Sequence, residues 1–270
     1  MASVKETEYF NTYHDRGAEW YRSNFPETDA PATGELSTNY YLDAVVADLI
    51  RDYDPEVKIV INLREPYRLL ESFYTFGQRR GLELGTLAES LDFPIGRIMG
   101  SGYDFRSSRN MLTTADRATL LESVCLADRL RPFLDAFESH QVHFFIFERL
   151  QSEHQQVLAE LYEFLEVDTG YTPPDADKIV NSSMAPKSKV IARLATRTSF
   201  LLRRVGAHGL LSRLHQSELI KKLLFSKSTD STPLTEKISC RDQLDRQTVL
   251  RLDDQIEQMK SICPDLNRWW

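Results

Sequence analysis

The chain is 270 residues long, 41% apolar and 27% charged, with a formal net charge of −7. This is the make-up of a soluble globular protein with enough residues for a full core. No run of about 18 or more apolar residues occurs, so no membrane span is expected, and Met1-Ala-Ser-Val-Lys5-Glu6 has no apolar stretch of the signal-peptide kind. Cys125, Cys240 and Cys263 are an odd, scattered set; free thiols in a reducing, cytoplasmic setting are expected, with a Cys240–Cys263 bridge the lesser alternative.

In chain order, residues 4–26 are aromatic-rich, with Trp20, Tyr21 and Phe25 on a helix face stopped at Pro26. A Pro/Gly/Thr/Ser loop covers 27–38. Tyr40 to Tyr53 fits an amphipathic helix through Leu42, Val45, Val46, Leu49 and Ile50. Lys58 to Asn62 then has the pattern of a short strand buried on both faces, as in a parallel sheet. It leads into Arg64-Glu-Pro66, and proline suits a first helical turn. Leu69, Leu70, Phe73 and Phe76 carry that helix to near Gly81. Arg64 at the strand end and Ser72 on the helix can both hydrogen-bond a phosphate; an ordinary strand–turn–helix with a surface arginine fits the spacing equally.

Residues 82–115 carry few strong signals. Gly96, Gly100 and Gly102 with Arg106 and Arg109 suggest an irregular connection over a site. Thr114 to His140 reads as helix and Val142 to Phe147 as a second buried strand, with Glu148 at its end. Gln155 to Leu165 reads as helix, and 167–187 as a polar loop. Helices are expected over about 188–205 and 208–225, and a last one over roughly 241–262. Strand, helix, strand, helix implies right-handed crossovers and a parallel sheet. The expected organisation is one domain over 1–270, an α/β core to 186 and a helical C-terminal part over 187–270.

Charge is uneven. Between Lys187 and Lys227 ten basic residues face only Glu218, a surplus of nine that leaves −16 on the remainder. Such a segment can meet an anionic ligand, an acidic polymer or a membrane surface, or pack on the acidic remainder. There is no Gly-x-Gly-x-x-Gly, no Gly-x-x-x-x-Gly-Lys-Ser/Thr loop and no Gly-x-Ser-x-Gly elbow. The six histidines show no metal-ligand spacing, so no metal is expected; His143, in a strand, reads as a core histidine.

Several stretches together resemble the sulfotransferases that use the donor 3′-phosphoadenosine 5′-phosphosulfate (PAPS), particularly the heparan sulfate sulfotransferase domains and bacterial relatives. Leu63-Arg64-Glu-Pro66 with Ser72 is similar to the strand-end motif that holds the donor's 3′-phosphate. Lys5-Glu6-x-x-Tyr9-Phe10, then Gly17-x-x-Trp20-Tyr21, is similar to the Glu-x-x-Phe-Phe segment, whose glutamate is the general base. Gly34-Glu35-x-Ser37-x-x-Tyr40, Ile146-Phe147-Glu148-x-Leu150, Leu161-x-x-Phe164-Leu165, the Asn181 loop and the terminal tryptophan follow in the family's order.

The resemblance implies a P-loop-NTPase-like parallel sheet flanked by helices, with a helical C-terminal part. It also implies sulfuryl transfer to a hydroxyl or amine, with Glu6 as general base and Arg64 and Ser72 binding the donor. Tyr9, His14 and Arg106 are the acceptor-side candidates. The product nucleotide is 3′-phosphoadenosine 5′-phosphate (PAP), and no metal takes part. The acceptor is a carbohydrate, a lipid or a small metabolite; nucleic acid is not expected as a partner, and a homodimer stays open.

Three features depart from the family. Leu69 stands where a second arginine is usual, beside Arg68, and Leu36 replaces the lysine of Gly-Glu-Lys-Ser/Thr. The family's opening strand and Gly-x-x-Lys-x-Gly-Thr loop lie upstream of the Glu-x-x-Phe-Phe segment, so both are expected to be missing from this chain. The alternative function is therefore a non-catalytic binding or interaction protein, or an N-terminally shortened fragment. A nucleotide kinase is disfavoured for want of a phosphate loop.

Overall fold

A computed structural model of the chain describes residues 2, 6–99, 118–150, 152–173, 184–186, 225–227 and 239–270. In it the two β-rich runs pair side by side. Strand β1 (Ile59–Leu63) lies parallel to β2 (Val142–Ile146), with Ile59 opposite Val142 and Leu63 opposite Ile146. A separate antiparallel pair joins β3 (Met184–Pro186) to β4 (Phe225–Lys227). The helices, in chain order, are α1 (Gly17–Arg22), α2 (Val45–Tyr53), α3 (Pro66–Arg79), α4 (Ile95–Met99), α5 (Leu120–Val124), α6 (Leu126–Ala136), α7 (Phe147–Leu150), α8 (His154–Phe164), α9 (Arg246–Ile262) and α10 (Leu266–Trp269). The expected helices over 188–205 and 208–225 lie outside the described residues.

One face of the β1–β2 pair carries Ile59, Ile61, Leu63, Val142, Phe144 and Ile146 into the core formed with α2, α6, α9 and α10. The other face differs from the expectation of a strand covered on both sides. Val60 is 43% exposed and Asn62 is also exposed. The reason is placement: α8 covers that face over β2, where the His143 ring stacks on Phe164 at 5.1 Å, and does not extend over β1. Lys58 borders this contact, its ammonium donating to the Phe164 carbonyl at 2.7 Å.

Helix α3 begins at Pro66 as its sequence dictates. The Glu65 carboxylate accepts the Arg68 N–H at 2.8 Å and caps the first turn. The Tyr40–Tyr53 stretch is split: a 3-10 turn over Tyr40–Leu42 ends at the extended Asp43, and α2 starts two residues later. Residues 82–99 are more ordered than their composition suggests. Leu84, Leu87, Leu91, Ile95 and Ile98 are all buried, packed on α3, α5 and α9. A Cβ at Gly77 of α3 would come within 2.8 Å of Leu84, so glycine permits this close packing. From residue 118 on, the expected 114–140 helix is two helices broken at Cys125, the first opened by a Thr119–Glu122 capping box.

The last helix does not stand apart from the α/β part. Leu252 of α9 is fully buried in the core with Leu70 and Leu120, and Met259 is buried with Leu63. The Tyr67 hydroxyl donates to Asp253 at 2.8 Å. No described helix is long and apolar enough to cross a membrane, and the three cysteines are free.

Two outcomes follow from this packing. Leu252→Ala removes a fully buried side chain shared by α9 and α3, and should lower stability by about 2–5 kcal/mol in a denaturant titration. A loss below half a kilocalorie would mean that residues 246–262 are not part of the core. His143 titrates in the opposite sense to a salt-bridged histidine: burial pulls its pKa below the ordinary 6.5, against the raising charge of Glu160. As pH falls through about 6.5, the unfolded chain protonates first, so stability should decline from there downward. Comparing denaturant midpoints at about pH 7.5 and pH 5.5, wild type should lose more than His143→Gln.

Candidate active site

Strand β1 ends on Leu63, fully buried, and the chain leaves the sheet through Arg64 and Glu65 into α3. Parallel β2 ends beside it and leaves through Phe147 and Glu148. The two exits meet. The Arg64 guanidinium lies over the Phe147 ring, 4.7 Å from its centroid. One Glu148 carboxylate oxygen accepts the Glu65 N–H at 3.1 Å, and the other accepts the indole N–H of Trp270 at 3.2 Å. Glu148 therefore ties both strand ends to the last residue of the chain.

Arg64 is half-buried. Desolvation pulls its pKa below the ordinary arginine range, with the Glu148 charge opposing and the Arg68 charge reinforcing the shift. Arginine stays charged through such shifts. Its Nε is buried with no hydrogen-bond acceptor among the described residues, and no described carboxylate forms an ion pair with it. Arg68 and Ser72 are one helical turn apart and share a face of α3. This end of the sheet offers a half-buried cation with a spare buried donor, a second cation and, on the helix that follows, a hydroxyl. That is the chemistry of an anion site.

Glu6 sits elsewhere, in the irregular turn before α1. Its φ is +59°, and that of Glu8 is +52°, a left-handed conformation uncommon for residues with a side chain. Thr38 Oγ1 donates to Glu6 at 3.4 Å, and the Asn39 amide donates to the buried Glu8 carboxylate at 3.3 Å. Between them Thr7 donates to Glu35, which also accepts from Tyr40 at 2.7 Å and Ser37 at 3.2 Å. The 35–40 block thus holds the Glu6–Glu8 turn from one side. Leu36, in that block, is 55% exposed.

The sequence candidates fall into two groups. Arg64 and Ser72 share the β1–α3 unit. Glu6, Tyr9 and His14 share the N-terminal turn, where the Tyr9 and His14 rings are 5.2 Å apart. Tyr9 is 3% exposed and stacks on Tyr21 at 4.5 Å, packing in the aromatic core. His14 is half-buried at the edge of that cluster. Arg106, and nearly all of the basic 187–227 segment, lie outside the described residues. Among the described residues no cluster of histidine, cysteine and carboxylate side chains could hold a metal ion. The hydroxyls on Glu35 were not singled out from sequence, although Glu35, Ser37 and Tyr40 are the fixed positions of the Gly34-Glu35-x-Ser37-x-x-Tyr40 block.

A family model described as a sulfotransferase domain matches residues 40–199, a span that includes Arg64, Ser72 and Arg106 and begins after Glu6. No curated protein sequence matches the chain. The crystal structure of a sulfotransferase from Alicyclobacillus acidocaldarius is similar, with a TM-score of 0.50 and 21% identity, covering 82% of this chain and 87% of that one. At that identity the likeness speaks for the fold, an α/β sulfotransferase fold.

Replacing the brace at the strand ends should be costly. Glu148→Ala leaves the Glu65 N–H and the Trp270 indole N–H without their acceptor, so a loss of about 1–3 kcal/mol is expected in urea titrations. Unchanged stability would show that water replaces both bonds.

Proposed function

Because the chain belongs to the sulfotransferase family, we propose that it transfers a sulfuryl group from PAPS to a hydroxyl or amine of a carbohydrate, a lipid or a small metabolite, releasing PAP. The observation that carries this reading is Arg64, a half-buried guanidinium at the carboxyl end of a parallel strand with an unused buried donor. Ligands of open α/β sheets bind at such strand ends. A terminal phosphate supplies the missing acceptor.

In this reading Arg64 and Ser72 hold the donor's 3′-phosphate. Arg68 takes the part that a second arginine plays one position later in the family, since it shares a helix face with Ser72 while Leu69 is turned toward the core. Glu6 accepts the proton of the acceptor group as it attacks, which requires a carboxylate within hydrogen-bond reach. Its half-exposed position lets an acceptor approach. The donor supplies an activated sulfuryl group, and the chain's part is to orient it and the acceptor and to take up one proton. His14 and Arg106 are assigned to the acceptor side. The domain is read as one unit, since α9 packs against the helix that carries Ser72.

A second reading, a nucleotide-binding relative without transfer activity, is favoured by the lack of any Gly-x-x-Lys-x-Gly-Thr in these 270 residues. One set of measurements separates the two. Calorimetry should show PAP binding at micromolar affinity or better, weakened about tenfold or more by Arg64→Ala. PAP release from PAPS, assayed with hydroxyl and amine acceptors, should fall by about 10²–10⁴-fold in Glu6→Gln, with PAP affinity unchanged. PAP binding without turnover selects the second reading. No PAP binding by the wild type overturns both.

A further inference from the structure

The contacts of Glu35 obey a rule of direction. Thr7 Oγ1, Ser37 Oγ and the Tyr40 hydroxyl each donate to its carboxylate. Each of the same oxygens also accepts one backbone N–H, and the three donors are consecutive residues. Glu8 N–H donates to Ser37 at 3.2 Å, Tyr9 N–H to Thr7 at 3.4 Å and Phe10 N–H to Tyr40 at 3.4 Å. A hydroxyl has one proton and two lone pairs. It can accept the backbone N–H reliably only if its own proton is committed elsewhere, and an ionised carboxylate is the one common side chain that accepts without donating.

The segment so held is the one that needs holding. Residues 6–8 contain two positive-φ glutamates, and such conformations persist where the surroundings over-determine them. Residues 6–13 form neither strand nor α-helix, so no ladder satisfies these N–H groups. Glu8, Tyr9 and Phe10 are all buried, and buried amides must be paired.

We propose that Glu35 is the positioning residue of the Glu6 turn. As an acceptor-only carboxylate it fixes the proton direction of three hydroxyls, whose lone pairs then secure the 8–10 backbone and with it the placement of Glu6. Burial, reinforced by the Glu35 charge, pushes the Tyr40 pKa up against the lowering hydrogen bonds of Ser37 and Thr7, so its proton stays on the oxygen. The Tyr21 hydroxyl faces the same carboxylate and is shifted the same way. The inference rests on the reading of Glu6 as the base.

The test is residue-resolved amide hydrogen exchange on the full chain, with kcat for PAP release from PAPS and PAP affinity measured alongside. In Glu35→Gln, which matches glutamate in size but can donate, exchange at Glu8, Tyr9 and Phe10 should rise about tenfold or more, while the β1 and β2 amides keep their protection. Glu35→Asp, smaller but still acceptor-only, should be better protected than Glu35→Gln. Turnover should follow the same order through kcat, with PAP affinity unchanged. If Glu35→Gln loses protection throughout the chain, Tyr40→Phe decides, because only the Phe10 amide should then speed up. Unchanged exchange at 8–10 in Glu35→Gln, or at Phe10 in Tyr40→Phe, overturns the inference, as does better protection in Gln than in Asp. A Glu6→Gln variant with undiminished turnover overturns the base assignment alone, since the exchange pattern does not depend on turnover.

Discussion

The in-register parallel pairing of Ile59–Leu63 with Val142–Ile146 limits where everything around it can go. Parallel strands run the same way, so their carboxyl ends lie side by side and the segments that follow share one neighbourhood. After the first comes Arg64-Glu-Pro66 and a long helix; after the second come Phe147 and Glu148. The guanidinium over the Phe147 ring and the Glu65 N–H on Glu148 are consequences of that register. A one-residue slip would turn the buried side chains of the moving strand to the opposite face. Leu63 and Ile146, both deeply buried, oppose it.

The same geometry explains why Arg64 is left with an unused donor. Glu148 is the charge nearest in effect to Arg64, but its two oxygens are engaged by the Glu65 N–H and the Trp270 indole. The carboxylate is spent on holding the strand exits together. Taking a guanidinium partly out of water without a full set of acceptors is unfavourable. The fold tolerates it here beside a second cation, Arg68, on the helix that follows. Buried groups left unsatisfied in a native structure call for an explanation, and in the proposed reading it is an anionic ligand shared by both arginines.

Much of this frame was legible in the chain. The β-branched run before Arg64, Pro66 at a first helical turn and the aromatic strand before Glu148 each encode their element locally, and the structure places them within a residue of expectation. What escaped was of two kinds. Some signals were local but overlooked: Leu84, Leu87, Leu91, Ile95 and Ile98 are spaced by threes and fours, and Asp245 caps α9 by accepting from Gln247 and Thr248, which starts that helix five residues after the expected point. Others have no local signature. That α8 reaches over β2 but not β1 depends on how distant segments pack. The roles of Glu6, Arg64 and Ser72 came from resemblance, and spacing alone did not distinguish them from surface residues.

The two groups of candidate residues are held by different means, and the difference has a physical cause. Ser72 rides on a helix whose backbone is self-satisfied, and Arg64 lies in the two-residue link between a strand and that helix, steadied by the Phe147 ring and by the Glu148 bond to the Glu65 N–H. The Glu6 turn cannot use that solution. With φ positive at residues 6 and 8, neither a helix nor a strand can pass through it, and its buried N–H groups must find side-chain oxygens. Those oxygens come from the turn itself and from a block 28 to 30 residues away. Hydroxyls alone would leave the direction of each bond undetermined, because each can donate or accept. A single carboxylate among them removes the ambiguity. The segments 6–10 and 34–40 are therefore tied together through one carboxylate, which in the proposed reading sets how well Glu6 is placed.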